Sequence, residues 1–97
     1  MSALTVRRAA ATGEDVALVA PLFDAYRRFY GQPGDLALAR AFVGDRLRAG
    51  DSVVFLALAG DEALGFVQLY PSFSSVSAAR IWVLNDLFVT PAARGHL

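Results

Sequence analysis

Two polar side chains interrupt an apolar stretch near the carboxyl end of the sequence. Asn85 and Asp86 stand between Leu84 and the apolar run Leu87–Val89. A carboxylate inside an apolar strand needs a hydrogen-bond partner or a function, because its uncompensated burial is costly. Asp86 is therefore the first candidate for a catalytic role. The alternative is that one of the two polar residues faces solvent at a bulge or at a strand edge.

Aromatic side chains offer a second group of candidates. Tyr26 and Tyr30 are one helical turn apart and would project from the same face of a helix, which suits the wall of a ligand pocket. Trp82 precedes the polar pair in the last apolar stretch, and Phe29 lies beside Tyr30. The alternative for all four is ordinary packing in the core or on the helix surface.

A turn with an arginine and a glycine follows the last apolar stretch. Pro91 comes soon after Val89, and Arg94-Gly95 comes next. Backbone N–H groups at such a turn can hold an anion, and glycine allows the main chain to approach it closely. Alone, the dipeptide Arg94-Gly95 is equally typical of an ordinary turn or helix start.

The composition excludes several kinds of chemistry. The 97 residues include no cysteine and a single histidine, His96, beside the last residue. Disulfides, thiolate nucleophiles and cysteine-bound metals are thus absent from this sequence, and neither a histidine-rich metal site nor a Ser-His-Asp triad is expected. We therefore expect no metal cofactor.

The charge balance argues against polyanionic partners. Nine arginines balance nine acidic residues, with no lysine, and the isoelectric point is about 6.5. Nucleic-acid binding normally needs a basic surplus, so no nucleic-acid partner is expected. The longest nearly uncharged stretch, residues 65–79, contains a proline and four serines, so no membrane helix is expected. Arg7 and Arg8 follow a short apolar patch instead of preceding a long one, so no signal peptide is expected. A cytoplasmic location is the expectation.

The candidates must be positioned by short elements of two different hydrophobic periods. Residues 4–8 alternate as a strand does. Thr12 followed by Asp15 resembles a capping box, and it predicts a helix over 13–30 that either kinks or restarts at Pro21. Asp35 predicts the N-cap of a second helix, which Gly50 ends.

The second half of the sequence predicts three strands. Residues 52–59 are apolar throughout and indicate a strand buried on both faces, and 63–70 its hairpin partner. Residues 71–77 are a serine-rich loop or a distorted strand end, and 79–89 form the last strand. The predicted fold class is α+β, in the order β-α-α-β-β-β, with an antiparallel meander and two helices in one domain, residues 1–97. Strict alternation places these residues on one face of the last strand: Arg80, Trp82, Leu84, Asp86 and Phe88.

The stretch Asn85–Gly95, with its strand, proline turn and Arg-Gly, resembles the GCN5-related N-acetyltransferase (GNAT) family. The run Gly65-Phe66-Val67-Gln68-Leu69 is similar to the strand that leads into the family hairpin, and residues 84–89 are most similar to the small-amine, diamine-like branch. The resemblance implies the N-terminal part of the GNAT fold, without its C-terminal helix-strand portion. The sequence is expected to stop inside the loop that binds the pyrophosphate of acetyl-CoA, with Leu97 where the family has glycine.

The resemblance also implies roles for individual residues. The backbone of Leu87, Phe88 and Val89 would pair with the pantetheine arm of acetyl-CoA, and Arg94, Gly95 and His96 would begin the pyrophosphate loop. Asp86 would accept the proton of the amine, directly or through a water, and the residues that would contact the amine substrate are Asn85, Tyr26, Tyr30 and Trp82.

The function implied by the resemblance is transfer of an acetyl group from acetyl-CoA to a primary amine of a small molecule by direct attack. The alternative is a truncated, non-catalytic remnant, or a module that pairs its exposed edge strand with another chain. In that alternative the partner would be a second copy, giving a homodimer.

Overall fold

The computed structural model describes residues 3–95, and it confirms the predicted α+β class and element order. Each predicted strand and helix is present, with ends that shift by at most a few residues. The elements are β1 (Leu4–Arg8), α1 (Gly13–Phe29), α2 (Leu36–Ala49), β2 (Val53–Ala59), β3 (Glu62–Ser74), β4 (Ala79–Val89) and a 3-10 turn (Pro91–Ala93).

The helix ends follow from local chemistry. The Thr12 hydroxyl accepts a hydrogen bond from the backbone N–H of Asp15 at 3.2 Å, and the Asp35 carboxylate accepts one from Leu38 at 3.0 Å. Gly50 closes α2 in the left-handed region, with φ of 70°. Pro21 lies inside α1, which continues through it as one helix. Of the two alternatives at Pro21, the restart is therefore wrong.

The four strands form one antiparallel sheet in the order β1-β2-β3-β4. Strand β3 is longer than the sequence predicts, because it continues through Pro71 to Ser74. Strand β2 pairs with β3 only as far as Leu69, so the segment beyond it has β4 as its neighbour on one side. Proline is tolerated there because no strand on its other side requires its missing N–H.

Strand β4 contains a bulge at Asn85 that reverses the facing of its first half. Asp86 pairs with Gln68 and Leu84 pairs with Leu69, so Asn85 has no partner in the register. Neighbouring residues of β3 face opposite sides, and their partners must do the same. The predicted alternation is therefore wrong: Trp82 and Leu84 lie on the face opposite to Asp86.

The core lies between the helices and one face of the sheet. The stacked rings of Phe23 and Phe42, whose centroids are 5.4 Å apart, join α1 to α2, and Phe23 also meets Phe66 of β3. The other buried apolar side chains on this side include Val19, Ala20, Ala39, Val43, Val54, Leu56 and Phe88. We call this the helix face of the sheet and its opposite the open face.

The open face is apolar but not covered by any of the described residues. Strand β2 is buried at Val54 and Leu56 on the helix face, whereas Phe55 and Ala57 on the open face are only partly buried. The prediction that β2 is buried on both faces is thus correct for one face only. Neither helix among the described residues has the length and apolarity needed to cross a membrane.

Candidate active site

Asp86 is buried on the helix face of the sheet, where two side-chain amides hold its carboxylate. The Gln68 Nε2 donates to Asp86 Oδ2 at 2.9 Å, and the Asn85 Nδ2 donates to Oδ1 at 3.1 Å. Asp86 is 6% exposed and Gln68 is 1% exposed. Asp86 faces the helices because it pairs with Gln68 in β3, and the amide of Asn85, the bulge residue, still reaches its carboxylate.

Helix α1 places Tyr26 over this carboxylate. The Tyr26 ring meets Phe66 and Phe88 edge to face, at centroid distances of 5.8 and 6.3 Å. Burial is the main cause that raises the pKa of Tyr26 to about 12, and the nearby carboxylate of Asp86 raises it further. The Tyr26 hydroxyl therefore keeps its proton near neutral pH and serves as a donor beside Asp86.

Tyr70 of β3 lies on the same face, next to Gln68. Burial and the negative charge of Asp86 raise the pKa of Tyr70, whereas Arg46 lowers it. The polar cluster under the helices thus consists of two protonated phenols, two amides and one carboxylate. Charged groups reach it from the end of α2, where Arg46 and Asp51 are 3.3 Å apart.

A cleft of about 300 Å³ opens between the last turn of α1 and the end of β4. Asp86 does not line the cleft, but it lies directly behind Tyr26 and beside Leu87 in the strand. Most of the residues predicted for cofactor or substrate contact meet here, and the lining residues are Tyr26, Phe29, Tyr30, Leu87, Phe88, Val89 and Arg94.

Arg94 folds back over the mouth of the cleft. Its Nε donates to the carbonyl of Val89 at 2.9 Å. Its guanidinium lies 5.6 Å from the ring centroid of Phe29 and 5.5 Å from that of Phe88. Gly95 follows in the left-handed region, with φ of 88° and open space where a Cβ would stand. His96 lies outside the described residues.

The geometry of β4 fits a ligand that extends along a strand. In the described sheet β4 pairs with β3 alone, so its outer edge offers backbone donors and acceptors to an added chain. Arg94 supplies a positive charge at the end of that edge, beside the free space around Gly95. The residues present therefore fit an elongated ligand with an anionic end, and acetyl-CoA has this form.

Three residues differ from the sequence-based expectation for the site. Asn85, predicted to contact the amine substrate, is exposed at the bulge and does not line the cleft. Trp82 is on the open face, away from Tyr26 and Asp86, because the bulge separates it from them. Gln68 was not predicted as a site residue, although a polar residue in an apolar strand is the same signal that identified Asp86. Within residues 3–95, no three side chains of the metal-ligating types come together.

Comparison with known proteins gives relatives of one kind. The chain is 55% identical over 80 residues to an uncharacterized N-acetyltransferase, YhfO, of Bacillus subtilis. This match covers 82% of the present chain and 54% of the Bacillus protein. The chain superposes on the crystal structure of a probable acetyltransferase with a TM-score of 0.86 and 48% identity, covering 96% of this chain and 62% of that one. No protein-family model matches the sequence.

A more distant structure shares only the fold. A predicted acetyltransferase of Clostridium acetobutylicum, solved with acetyl-CoA, is 13% identical with a TM-score of 0.74, and the match covers 96% of this chain and 64% of that one. The chain spans a little over half the length of the curated relative and about three fifths of these solved structures. The chain therefore has the fold of the first part of a GNAT-type acetyltransferase, and the relatives it matches are named acetyltransferases.

Proposed function

We propose that this chain is the first part of an N-acetyltransferase domain that transfers an acetyl group from acetyl-CoA to a primary amine of a small molecule. The observation that carries the proposal is the cleft at the end of β4, which collects Tyr26, Tyr30, Leu87–Val89 and Arg94 in front of a buried carboxylate. Acetyl-CoA supplies the acetyl group as a thioester.

The backbone edge at Leu87–Val89 holds the extended arm of the co-substrate, and Arg94 with Gly95 faces its phosphates. To bind there, the arm must compete with Arg94 for the carbonyl of Val89, which Arg94 occupies at 2.9 Å. The negative phosphates draw the guanidinium toward them and so release this carbonyl.

The amine lies at the aromatic wall formed by Tyr26 and Tyr30, whose ring centroids are 5.1 Å apart. An ammonium group must lose a proton before its nitrogen can attack a carbonyl carbon. Tyr26 is next to both the cleft and Asp86, so its hydroxyl accepts the proton of the amine and passes its own to the carboxylate. Asn85 donates to Asp86 and so holds the carboxylate in place for this step.

Calorimetric titration of the chain with acetyl-CoA, followed by an acetylation assay with a panel of primary amines, tests the proposal. We expect Arg94→Gln to weaken acetyl-CoA binding about tenfold, because it removes a charge-assisted contact. We expect Asp86→Asn to leave that binding unchanged and to lower kcat about a hundredfold, the usual scale for losing a proton acceptor.

Matched controls separate these effects from general charge effects. Arg80 stacks on Phe73 in the distant hairpin, and Asp61 is exposed in the turn before β3. Arg80→Gln and Asp61→Asn should leave both binding and kcat unchanged. If wild-type chain binds no acetyl-CoA, or if the control variants lose as much as the site variants, the proposal is wrong.

A second candidate function follows from the exposed strand. The outer edge of β4 is free in the described sheet, and Leu84 and Leu87 are 57% and 58% exposed. Such an edge can pair with the same edge of a second copy. This candidate is a non-catalytic remnant or strand-pairing module that forms a homodimer, and sedimentation over a range of concentrations tests it: a monomer throughout rejects it.

We also propose that the described elements belong to one partial acetyltransferase domain and that the chain is located in the cytoplasm. Fractionation of cells that express a tagged chain would test the location.

A further inference from the structure

Gln68 is the most deeply buried polar side chain of the site, and only one of its two polar amide atoms has a hydrogen-bond partner. Its Nε2 donates to Asp86 Oδ2 at 2.9 Å, whereas its Oε1 is buried without a hydrogen-bond partner. Leaving a buried carbonyl oxygen without a partner is unfavourable, because the oxygen has given up its bonds to water. An apolar side chain at this position would avoid that cost.

The orientation of the Gln68 amide is determined by Asp86. Rotating the amide by half a turn would bring Oε1 against Oδ2 of the carboxylate, so that two acceptors would face each other. The observed orientation keeps the donor on the carboxylate and leaves the carbonyl unpaired. Gln68 therefore gives the carboxylate of Asp86 a hydrogen bond, while its own carbonyl oxygen has none.

We propose that Gln68 is a positioning residue of this site, which acts through Asp86 by holding its carboxylate in a fixed orientation behind Tyr26. The inference rests on the proposed function, in which Asp86 is the final proton acceptor. Gln68 itself does not line the cleft and does not touch the substrate.

Few titratable groups face Asp86 from the elements that pack around it. Tyr26 approaches from α1 and Tyr70 from β3, and both are protonated near neutral pH because their pKa values are raised. From the end of α2, Arg46 and Asp51 act on Tyr70. Gln68 is the side-chain donor to Oδ2 of Asp86, since the other amide donor, Asn85, binds Oδ1.

The first measurement is an NMR titration of the carboxyl carbon of Asp86 in chain labelled with ¹³C-aspartate, with the resonance assigned by its loss in Asp86→Asn. Gln68→Met keeps the shape of the side chain and removes the amide. We expect it to move the midpoint of this NMR titration to higher pH, because a donor to the anion is lost. Gln68→Glu should raise the midpoint further, since a second carboxylate then faces the first.

The second measurement is the pH dependence of kcat/KM for acetyl transfer by the same variants. If Gln68 acts through Asp86, the acid limb of the kcat/KM profile moves to higher pH by the same amount as the midpoint of the NMR titration. At a pH below that limb, kcat/KM falls about tenfold in Gln68→Met. The KM for acetyl-CoA should stay unchanged. Gln32→Leu, a change of an exposed loop glutamine, should alter neither measurement.

The two measurements give distinct failures. If the NMR titration is the same in wild type, Gln68→Met and Gln68→Glu, the inference about Gln68 is wrong even though acetyl transfer persists. If the titration shifts but the acid limb does not follow, Gln68 has only a structural role and the inference also fails. If the titration shifts and the chain transfers no acetyl group, the proposed function itself is overturned, and the inference with it. Should Gln68→Met not fold, Gln68→Glu provides the same two readouts.

Discussion

Of the three buried carboxylates among the described residues, Asp15, Asp24 and Asp86, the first and the last are held in different ways, and the difference indicates which of these two is available for proton transfer. Asp15 accepts two hydrogen bonds from the guanidinium of Arg7, at 2.7 and 2.9 Å, and one from the backbone of Ala10 at 2.7 Å. The bond to Arg7 is the main cause that lowers the pKa of Asp15 to about 2. Asp86 is instead held by two neutral amides. Asp15 therefore fastens β1 to α1, whereas Asp86 can take up a proton without breaking an ion pair.

The role of Asp15 gives a stability prediction with a pH dependence. Asp15→Asn should lower the free energy of unfolding at pH 7 by about 2 kcal/mol, the scale of a charge-assisted hydrogen bond. The pKa of Asp15 is about 2 in the folded chain, below the ordinary value of 3.8 for this side chain. Its stabilising contribution is therefore complete above about pH 4 and is lost as the pH falls toward 2. Urea unfolding of wild type and variant at pH 7, 4, 3 and 2 should show their difference shrinking over that range.

Asp45 offers a matched control for this measurement. It pairs with Arg48 at 2.9 Å, but both side chains are 62% exposed. Exposed pairs contribute little, so Asp45→Asn should change stability by less than about 0.5 kcal/mol at every pH. An equal loss in Asp45→Asn and Asp15→Asn would contradict the special position of Asp15.

The local elements were predictable because each follows from its own residues. The caps at Thr12, Asp35 and Gly50 fix the helix ends through hydrogen bonds and backbone angles that the sequence itself signals. The polar pair Asn85-Asp86 indicates a bulge as one alternative, and Asn85 is exposed at such a bulge. Its effect on the facing of Trp82 could not be predicted, because that depends on the register between β3 and β4 rather than on β4 alone. Without the bulge, strict alternation assigns Trp82 to the same face of β4 as Asp86, although it lies four residues away. Tyr26 and Tyr30 lie together as their helical spacing predicts, with ring centroids 5.1 Å apart. That Arg94 lines the same cleft did not follow from the sequence, because it depends on how the chain turns after β4.

Strand β4 is held close to β3 by a glycine, and this gives a prediction at the level of the element. A Cβ added at Gly65 would lie 2.8 Å from the backbone oxygen of Phe88 and 3.3 Å from a methyl group of Val89. Gly65→Ala must therefore push β4 away from β3. We expect a loss of about 1–3 kcal/mol in the free energy of unfolding, as for other overpacked sites. Acetyl-CoA binding should weaken too, because the displaced residues form the edge that is proposed to hold it.

Gly13 provides the control for a glycine-to-alanine change. It begins α1, and a Cβ there meets nothing within 4 Å. Gly13→Ala should leave stability unchanged or raise it slightly, because alanine favours a helix and restricts the unfolded chain. Thermal unfolding and calorimetric titration of both variants test the pair. If Gly65→Ala is as stable as wild type, the close approach of β3 and β4 does not constrain β4.

At the scale of the whole molecule, the sheet has two apolar faces and the described helices cover one of them. On the open face Val6 is 66% exposed, Trp82 55%, Leu84 57% and Leu87 58%. An antiparallel sheet that is covered on one side normally presents polar side chains on the other. The solved relatives with which this fold is shared are longer than this chain. The open face is therefore the surface of this 97-residue chain most exposed to association, and zero net charge favours association further.

Leu84→Lys tests this surface without touching the cleft, since Leu84 lies on the open face and pairs with Leu69. We expect the variant to lower self-association and to bind less of an apolar fluorescent dye, because a charge interrupts the apolar surface. Its stability should stay within about 0.5 kcal/mol of wild type, as is usual for an exposed position. Val76→Lys is the matched control. Val76 is fully exposed in the β3–β4 turn, so this substitution adds the same charge away from the open face. If sedimentation shows both variants less associated to the same degree, net charge alone governs association; if only Leu84→Lys is affected, the open face is the contact surface.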